Sequence, residues 1–370
     1  MKKVLTVFGT RPEAVKMAPL VKCLETAEGE GIDSKVCVTA QHREMLDMVL
    51  NIFNIVPHWD FNLMSHGQTL NDITAKVITK MGEALEEYSP DLVLIHGDTT
   101  TSFAAALAAF YRQIPVGHVE AGLRTGNIYS PFPEEMNRRL TGTIATYHFS
   151  PTAGNRDNLL KSGVDDGSIF ITGNTVIDAL HLVLEEDYTF PLPALNDLDF
   201  NGRKVILLTA HRRENWGSRM EAIFCAVKDI IENYPDTELI FPVHPNKIVS
   251  EPARRILGGR ERIHLIEPLD YAPFANLMAR SYIILSDSGG IQEEAPSLGK
   301  PVLVLRTETE RPEAVEAGTV KMAGVRKEDV YNLTAELLTD KEEYQKMACA
   351  VNPYGDGKAA QRIVDIIKKI

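Results

Sequence analysis

Cysteine is scarce in this chain, and neither its cysteines nor its histidines show a metal-binding spacing. Only 4 of the 370 residues are cysteine, and no C-x-x-C pair occurs. Four of the 10 histidines end apolar runs, yet no H-x-H or H-x-x-x-H spacing supports a zinc site. The sequence therefore predicts free thiols in a reducing compartment, with no disulfide scaffold and no bound metal.

The chain also lacks a basic excess and a long apolar run. It carries 51 acidic against 39 basic residues, which gives a formal net charge of −12. A general nucleic-acid binder needs the opposite balance, and a membrane-spanning helix needs about 20 consecutive apolar residues. We therefore expect neither nucleic-acid binding nor a membrane span. An anionic ligand would require a few locally placed Arg and Lys side chains.

Short apolar runs alternate with longer helical patterns along the chain. The N-terminal run is interrupted too early for a signal peptide, so we interpret it as the first strand. Buried parallel sheets produce such an alternation, which predicts an α/β protein with two Rossmann-like, doubly wound domains. The predicted strands are 4–8, 35–39, 92–96, 116–119 and 148–150, then 205–209, 238–243, 263–266, 282–286 and 302–305.

We place the N-terminal domain at residues 1–180 and the C-terminal domain at 181–354. Segment 185–203 contains prolines and turn-forming residues without clear periodicity, which predicts a linker or a peripheral loop. A final helix within 355–370 follows a Pro-Tyr-Gly-Asp-Gly break. That helix can pack on either domain, and we group it with the first.

Polar residues follow the strands of the first series, at the edge where parallel sheets bind ligands. Gly9 permits close approach of a ligand to the backbone, although neither G-x-G-x-x-G nor a Walker A sequence occurs. Asp98 can alternatively be a helix N-cap, and an acidic first turn can explain Glu135 better than Glu134. The candidate residues at this edge are Gly9, Thr10, Arg11, Lys16, His96, Asp98, His118, Glu120, Arg124, Glu134 and Glu135.

The second series ends in a comparable set of polar residues. His211 is followed by two arginines, which together favour an anion site. Another strand ends in Ser-Asp-Ser-Gly-Gly at 286–290, where glycines let backbone N–H groups approach a phosphate. Glu293 or Glu294, about one turn into the next helix, can reach a ribose diol.

The pentapeptide Arg-Pro-Glu-Ala-Val occurs twice, at 11–15 and 311–315. Proline suits the first helical position, so one explanation is a favourable helix start that is used twice. The functional alternative is that Arg11 and Arg311 face one interdomain cleft and clamp a diphosphate between them.

Eight motifs, in one order over nearly the whole chain, closely resemble the bacterial non-hydrolysing UDP-N-acetylglucosamine 2-epimerases. They are GTRPEAVKMAP (9–19), TAQHREML (39–46), HGDTTT (96–101), GHVEAGLRTG (117–126), SPFPEEMNRRLTG (130–142), TAHRREN (209–215), DSGGIQEEAPSLGKPVLVLR (287–306) and TERPEAVEAGT (309–319). The resemblance implies a GT-B fold, with a nucleotide sugar in the cleft between two Rossmann-like domains.

The resemblance also implies a reaction and its setting. A cytoplasmic homodimer would interconvert UDP-N-acetylglucosamine and UDP-N-acetylmannosamine at C2, supplying precursors for cell-surface polysaccharides. The family route eliminates UDP to give a 2-acetamidoglucal and then adds UDP back. That route needs a carboxylate base, an acid on the opposite face and cations for the departing diphosphate, but no redox cofactor.

Site residues carry over where the motifs match. Asp98, Glu120 and Glu134 are implied to be the catalytic carboxylates and to contact the substrate, and His211 to contact the leaving group. Which carboxylate removes the C2 proton and which returns it stays open. The implied UDP site consists of Arg11, Lys16, Phe274, Ser288, Gly289, Gly290, Glu294 and Arg311, with Phe274 beside the uracil and Glu294 on the ribose.

Bacterial members also bind a second UDP-N-acetylglucosamine as an activator. Gln41, His42, Arg212 and His244 lie in the motifs associated with that site. Glu44 and Gly67 depart from activator-dependent members, which have Gln and Arg there, so activation of this chain stays open.

Three rival functions remain at this stage. A GT-B glycosyltransferase would share the Ser288–Glu294 motif and Arg311, but it would have no reason for three carboxylates around C2. A hydrolysing epimerase would release free N-acetylmannosamine and UDP, an outcome that depends on water reaching the intermediate. A nucleotide-sugar sensor without catalytic activity is the third.

Overall fold

The computed structural model describes residues 1–40, 43–63 and 67–370. The chain divides into two units, one formed by Met1–Leu182 with Tyr354–Ile370 and the other by Val183–Pro353. Each unit is built on its own parallel sheet.

Seven strands form the sheet of the first unit. They are β1 Lys2–Phe8, β2 Ile32–Val38, β3 Trp59–Asp60, β4 Leu92–His96, β5 Val116–Val119, β6 Tyr147–Ser150 and β7 Ile169–Ile171. Their order is β3-β2-β1-β4-β5-β6-β7, with every pair parallel. β1 lies inside the sheet, where Val4 pairs with Ser34 on one side and Leu92 on the other.

Helices connect these strands as crossovers, and the last helix of the chain returns to this unit. The helices are α1 Arg11–Thr26, α2 Arg43–Ile52, α3 Leu70–Tyr88, α4 Thr100–Tyr111, α5 Glu134–Ile144, α6 Ala153–Lys161, α7 Thr175–Val183 and, at the end of the chain, α16 Ala359–Ile367. α16 packs against α1. Asp178 fixes its start, because its carboxylate accepts hydrogen bonds from the N–H groups of Ala359 and Ala360.

The second unit repeats the architecture with six strands in the order β10-β9-β8-β11-β12-β13, all parallel. The strands are β8 Lys204–Thr209, β9 Thr237–Pro242, β10 Ile263–Ile266, β11 Ile283–Ser286, β12 Val302–Val304 and β13 Val320–Met322. The helices are α8 Pro193–Asn196, α9 Ser218–Asn233, α10 Lys247–Leu257, α11 Tyr271–Arg280, α12 Gly289–Glu294, α13 Pro312–Glu316, α14 Lys327–Thr339 and α15 Lys341–Ala348. Both units also contain short 3-10 turns. Those of the first unit are Ala27–Glu30 and Asp166–Ser168, and those of the second are Arg213–Asn215 and Ala295–Leu298.

Each sheet has its own apolar core. In the first unit the core includes Leu5, Val7 and Val93, and in the second it includes Ile206 and Phe224. Such fully buried strands explain the continuous apolar runs in the sequence, because helices cover both faces of a doubly wound sheet.

Both sheets contain a point at which the strand order reverses. In the first sheet this point lies between β1 and β4, and in the second it lies between β8 and β11. Ligands of open α/β sheets bind at such points, beyond the carboxyl ends of the strands. The residues that follow these four strands are therefore the ones to examine for function.

The structure confirms the predicted α/β class with two Rossmann-like units. It adds three short strands that the sequence patterns did not indicate, namely β3, β7 and β13. Segment 185–203 belongs to the second unit and contains the four-residue helix α8. Within the described ranges, no helix combines the length and the apolar character that a membrane crossing requires.

Candidate active site

A buried carboxylate, Glu13, ties together the loops after β1 and β4 of the first unit. It accepts hydrogen bonds from the N–H groups of Gly9 at 3.1 Å and Thr10 at 2.7 Å. At the start of α4, the hydroxyl groups of the N-cap residue Thr99 and of Ser102 donate to it at 2.6 and 2.8 Å. The glutamate of the first Arg-Pro-Glu-Ala-Val segment thus fixes the loops that carry Arg11 and Asp98.

Gly9 has a packing role that differs from the predicted one. A Cβ atom at this position would lie 2.2 Å from Oγ1 of Thr39 and 2.7 Å from Oγ1 of Thr101. Real Cβ atoms do not approach other atoms so closely, so Gly9 is needed for packing inside the unit, and approach of a ligand is not required to explain it.

Glu120 follows β5 and is held by two basic side chains. Its oxygens lie 2.6 and 2.7 Å from Nζ of Lys16 on α1. Nε2 of His96, at the end of β4, lies 2.7 Å from Oε2 of Glu120. Glu120 adopts a left-handed backbone conformation with φ of 61°, which is uncommon for this residue type and often marks functional sites.

The charge state of Glu120 follows from these contacts. Burial raises its pKa, but the charges of Lys16 and His96 outweigh burial and hold the pKa well below its usual range. Glu120 is therefore a carboxylate at neutral pH in this unit.

Asp98 is paired with an arginine that comes from α5. Its Oδ2 atom lies 2.9 Å from Nε and 2.7 Å from Nη2 of Arg138. The side-chain amide of Asn137 donates a hydrogen bond of 2.9 Å to the backbone carbonyl of Asp98. Both guanidinium nitrogens contact the same carboxylate oxygen, and this contact fixes the orientation of the Asp98 side chain.

Glu134 and Glu135, the first two residues of α5, have different environments. Glu135 is fully buried and accepts hydrogen bonds from the Thr125 N–H and from Arg138 and Arg139. Oε2 of Glu134, in contrast, is buried without a hydrogen-bond partner among the described residues. Glu135 therefore has a structural role, whereas Oε2 of Glu134 is available to accept a hydrogen bond from a substrate.

In the second unit, Ser288 is the N-cap of α12, and Gly289 and Gly290 are the first two residues of that helix. A Cβ atom on Gly289 would lie 3.9 Å from the guanidinium of Arg311. On Gly290 it would lie 3.5 Å from Oε1 of Glu294 and 4.0 Å from Oγ of Ser288. The backbone of the two glycines is therefore surrounded by one hydroxyl, one carboxylate and one guanidinium, a combination that suits a phosphate next to a sugar diol.

Glu293 and Glu294 are distinguished by their partners. Glu293 is buried and forms an ion pair with Arg311. That contact orients the guanidinium, and the Arg311 N–H is held by the Thr309 hydroxyl at 3.0 Å. Of the two glutamates left open by the sequence, Glu294 is the one that lies beside Gly290.

His211 follows β8 and stands between a carboxylate and a second histidine. Its Nδ1 atom lies 3.4 Å from Oδ1 of the buried Asp287, and its ring lies parallel to that of His244 at 6.1 Å. Burial lowers the pKa of His211, Arg212 and His244 lower it further, and Asp287 raises it.

The residues predicted from sequence thus fall into two groups, one in each unit. Lys16, Asp98, Glu120 and Glu134 are associated with the switch point of the first unit, where Arg11 begins α1. The second unit holds Phe274, which is half-buried on α11, together with Arg212, His211, His244, Ser288, Gly289, Gly290, Glu294 and Arg311. Gln41 and His42 lie outside the described residues.

Several supporting side chains were not assigned a role from the sequence. Arg138 orients Asp98, His96 contacts Glu120, and Glu13 and Asp287 are buried carboxylates that hold loops. Each of these residues lies within one of the motifs quoted above. Acidic and basic residues are seldom buried without a partner, so charged residues in these motifs could have been expected to pair with the site residues.

The described residues of the site include carboxylates and cations, but none of them forms a metal-binding arrangement. Among residues 1–40, 43–63 and 67–370, no group of three or more His, Cys, Asp or Glu side chains is placed to hold a metal ion. The cations present instead suit phosphate groups, which bind Arg and Lys directly.

Two doubly wound units, with charged side chains at both switch points, define an α/β protein of the GT-B class. The family model described as UDP-N-acetylglucosamine 2-epimerase matches residues 24–368. The chain belongs to the UDP-N-acetylglucosamine 2-epimerase family.

Individual relatives cover nearly the whole chain. It is 57% identical to the UDP-N-acetylglucosamine 2-epimerase of Bacillus subtilis over 364 residues, which are 98% of this chain and 94% of that protein. A crystal structure of a putative UDP-N-acetylglucosamine 2-epimerase from Listeria monocytogenes superposes with a TM-score of 0.95 at 54% identity, covering 100% of this chain and 96% of the other. The Neisseria meningitidis enzyme bound to UDP-GlcNAc gives a TM-score of 0.87 at 51% identity, with 100% of both chains covered.

Proposed function

We propose that this chain interconverts UDP-N-acetylglucosamine and UDP-N-acetylmannosamine without hydrolysing either sugar nucleotide. The observation that carries the proposal is the set of three carboxylates Asp98, Glu120 and Glu134 in one unit, each in a different environment. Family membership and the relative that binds UDP-GlcNAc support the choice of substrate.

The chemistry of the substrate explains the need for several carboxylates. The C2 proton is not adjacent to a carbonyl, so its direct removal would be too difficult. In the proposed route a base takes the C2 proton while the C1–O bond breaks, and UDP leaves with the bonding electron pair. The resulting 2-acetamidoglucal is then protonated on the other face of C2, and UDP adds back to C1.

The different environments suggest a division of labour among the carboxylates. Both oxygens of Glu120 contact Lys16, which keeps this carboxylate ionised, so we assign it neither the removal nor the return of the C2 proton. Asp98 is oriented by Arg138, and Glu134 has an oxygen without a partner in the described chain. We therefore assign the exchange of the C2 proton to Asp98 and Glu134, acting on opposite faces of the sugar.

The remaining site residues are assigned to the UDP portion. Ser288, Gly289, Gly290 and Arg311 would bind phosphate, Glu294 would bind the ribose and Phe274 would flank the uracil. Arg11 and Lys16 would neutralise the diphosphate, and His211 would stabilise it as it departs. No redox cofactor and no metal take part in this route.

The proposal extends to assembly and regulation. We expect a homodimer in which a second UDP-N-acetylglucosamine acts as an activator near Arg212 and His244. Starting from UDP-N-acetylmannosamine alone, the initial rate should rise when a trace of UDP-N-acetylglucosamine is added. An unchanged rate would remove the activator from the proposal, as the departures at Glu44 and Gly67 would allow. The UDP-N-acetylmannosamine formed would supply cell-surface polysaccharide synthesis.

Product analysis distinguishes this function from its rivals. The purified protein is incubated with UDP-N-acetylglucosamine, and the products are separated by ion-exchange chromatography. We expect two epimeric UDP-sugars in a constant ratio and little free UDP. Free N-acetylmannosamine with stoichiometric UDP would instead identify a hydrolysing epimerase. Transfer of the sugar to an added acceptor would identify a glycosyltransferase.

A further inference from the structure

Asp287 is a fully buried carboxylate that directly follows β11, beside His211. Its Oδ2 atom accepts hydrogen bonds from the backbone N–H groups of His211 at 2.9 Å and Arg212 at 2.8 Å. The side-chain amide of Asn215 donates a third bond of 3.2 Å to the same oxygen. Three donors satisfy Oδ2 and fix the orientation of the carboxylate.

The other oxygen, Oδ1, is buried and has no hydrogen-bond partner of ordinary geometry in the described part of the chain. It lies 3.4 Å from Nδ1 of His211, so a small rotation of the ring would complete a hydrogen bond. An unsatisfied buried carboxylate oxygen is costly, which favours the ring form with a proton on Nδ1.

We propose that Asp287 is a positioning residue that orients His211, holds a proton on Nδ1 and stabilises the imidazolium, whose Nε2–H then donates to the departing diphosphate. The role of Nε2 rests on the proposed function, whereas the contact between Asp287 and the ring does not. The second proton of the imidazolium comes from solvent before the bond breaks, and the carboxylate beside Nδ1 stabilises the charged ring, as an aspartate does in hydrolase triads.

The positively charged form of His211 depends on its contact with Asp287, because the other surroundings of the ring disfavour a positive charge. Arg212 and the parallel ring of His244 both disfavour a positive charge on His211, and burial acts in the same direction. Asp287 is the group that opposes them. Its removal should therefore lower the pKa of His211 further.

Asp287→Asn tests the proposal without destroying the turn. The three donors at Oδ2 require an oxygen, so the amide oxygen takes that place and the NH2 group faces Nδ1 of His211. The amide then donates to Nδ1, which reverses the tautomer and removes the negative charge. We expect the proton to move to Nε2, the pKa of His211 to fall, and kcat to fall by about 100-fold with KM little changed.

Nitrogen-15 NMR of imidazole-labelled protein measures the tautomer and the pKa directly, with His211→Gln identifying the signal. Glu238→Gln is a matched control, because Glu238 lies 2.8 Å from His264 in another carboxylate–histidine pair of the same unit. The control should change the signal of His264, leave that of His211 unchanged, and keep wild-type kcat.

Two results would overturn the proposal. One is a His211 signal with the same tautomer and pKa in wild type and Asp287→Asn, and the other is an unchanged kcat in that variant. The NMR readout does not depend on turnover. If wild type fails to epimerise UDP-N-acetylglucosamine but the tautomer reverses in the variant, the positioning role stands and the proposed function fails.

Discussion

At the scale of single residues, the sequence indicated candidate site residues but not the side chains that contact them. The residues of each pair lie far apart in the chain, such as Asp98 with Arg138 and Glu120 with Lys16. The strand-and-helix pattern specifies which residues end a strand. Only the packing of α1 and α5 beside the strand ends decides which cation meets which carboxylate.

The proposed division of labour predicts the effect of removing each negative charge. Asp98→Asn, Glu120→Gln and Glu134→Gln should each lower kcat by about 100-fold or more, because each removes a group that transfers a proton or supports the site. Steady-state kinetics with UDP-N-acetylglucosamine measures the loss. Glu86→Gln, at an exposed position of the same unit, is the control and should keep wild-type kcat. A near-wild-type rate would exclude that carboxylate from the catalytic group.

The Lys16–Glu120 pair predicts a pH-dependent contribution to stability. Because the pKa of Glu120 is depressed in the folded protein, its contribution is complete above the ordinary value of 4.5 and is lost as pH falls through the folded pKa. Lys16→Met leaves the buried carboxylate without this cation, which should lower the free energy of unfolding by about 3 kcal/mol at pH 7. The difference from wild type should shrink at acidic pH, as Glu120 of the variant takes up a proton.

Urea unfolding at neutral and acidic pH measures this effect. Lys22→Met removes a more exposed pair with Glu25 and should change the free energy of unfolding by less than about 1 kcal/mol. Equal losses in the two variants, or a Lys16→Met loss that does not depend on pH, would contradict the account of Glu120.

At the scale of elements, continuous apolar strands were predicted best. The predicted bounds of 92–96, 116–119 and 263–266 coincide with β4, β5 and β10. β3, β7 and β13 are partly buried edge strands of two or three residues, whereas the three residues of β12 are fully buried and belong to the apolar run predicted at 302–305. Each of the three missed strands is formed by pairing with a single neighbouring strand, which supplies the hydrogen bonds that local sequence cannot specify.

The junction between β1 and α1 gives a prediction at this scale. Gly9→Ala places a Cβ atom against the hydroxyl groups of Thr39 and Thr101, so it should destabilise the protein by about 1–3 kcal/mol. Gly29→Ala is the matched control, because a Cβ there meets no atom within 4 Å. Thermal unfolding compares the two variants. An equally stable Gly9→Ala protein would show that the junction tolerates the movement that the structure argues against.

At the scale of the whole molecule, the two units share one architecture but carry different kinds of residue beyond their strand ends. The first unit carries the carboxylates, and the second carries the glycine-rich turn with Arg311. The formal charge of −12 makes the local cations more informative, since they must offset a repulsive field before a diphosphate can bind.

Ligand binding should separate these two sets of residues. A ligand at about 100 times its dissociation constant stabilises the folded protein by about 2.7 kcal/mol, so UDP should raise the unfolding temperature of wild type. The same shift should persist in Glu134→Gln and be largely lost in Arg311→Ala, because the proposal assigns Arg311 to phosphate. Differential scanning fluorimetry with and without UDP measures it. A full shift in Arg311→Ala would contradict the assigned UDP site.

Removal and return of the C2 proton is the central claim, and solvent deuterium tests it most directly. The protein is incubated with UDP-N-acetylglucosamine in D2O, and the sugar signals are followed by proton NMR. We predict that UDP-N-acetylmannosamine appears with deuterium at C2, and that the remaining UDP-N-acetylglucosamine becomes labelled at the same carbon. Epimerised product that keeps its original C2 proton, or recovery of unlabelled substrate alone, would contradict the account.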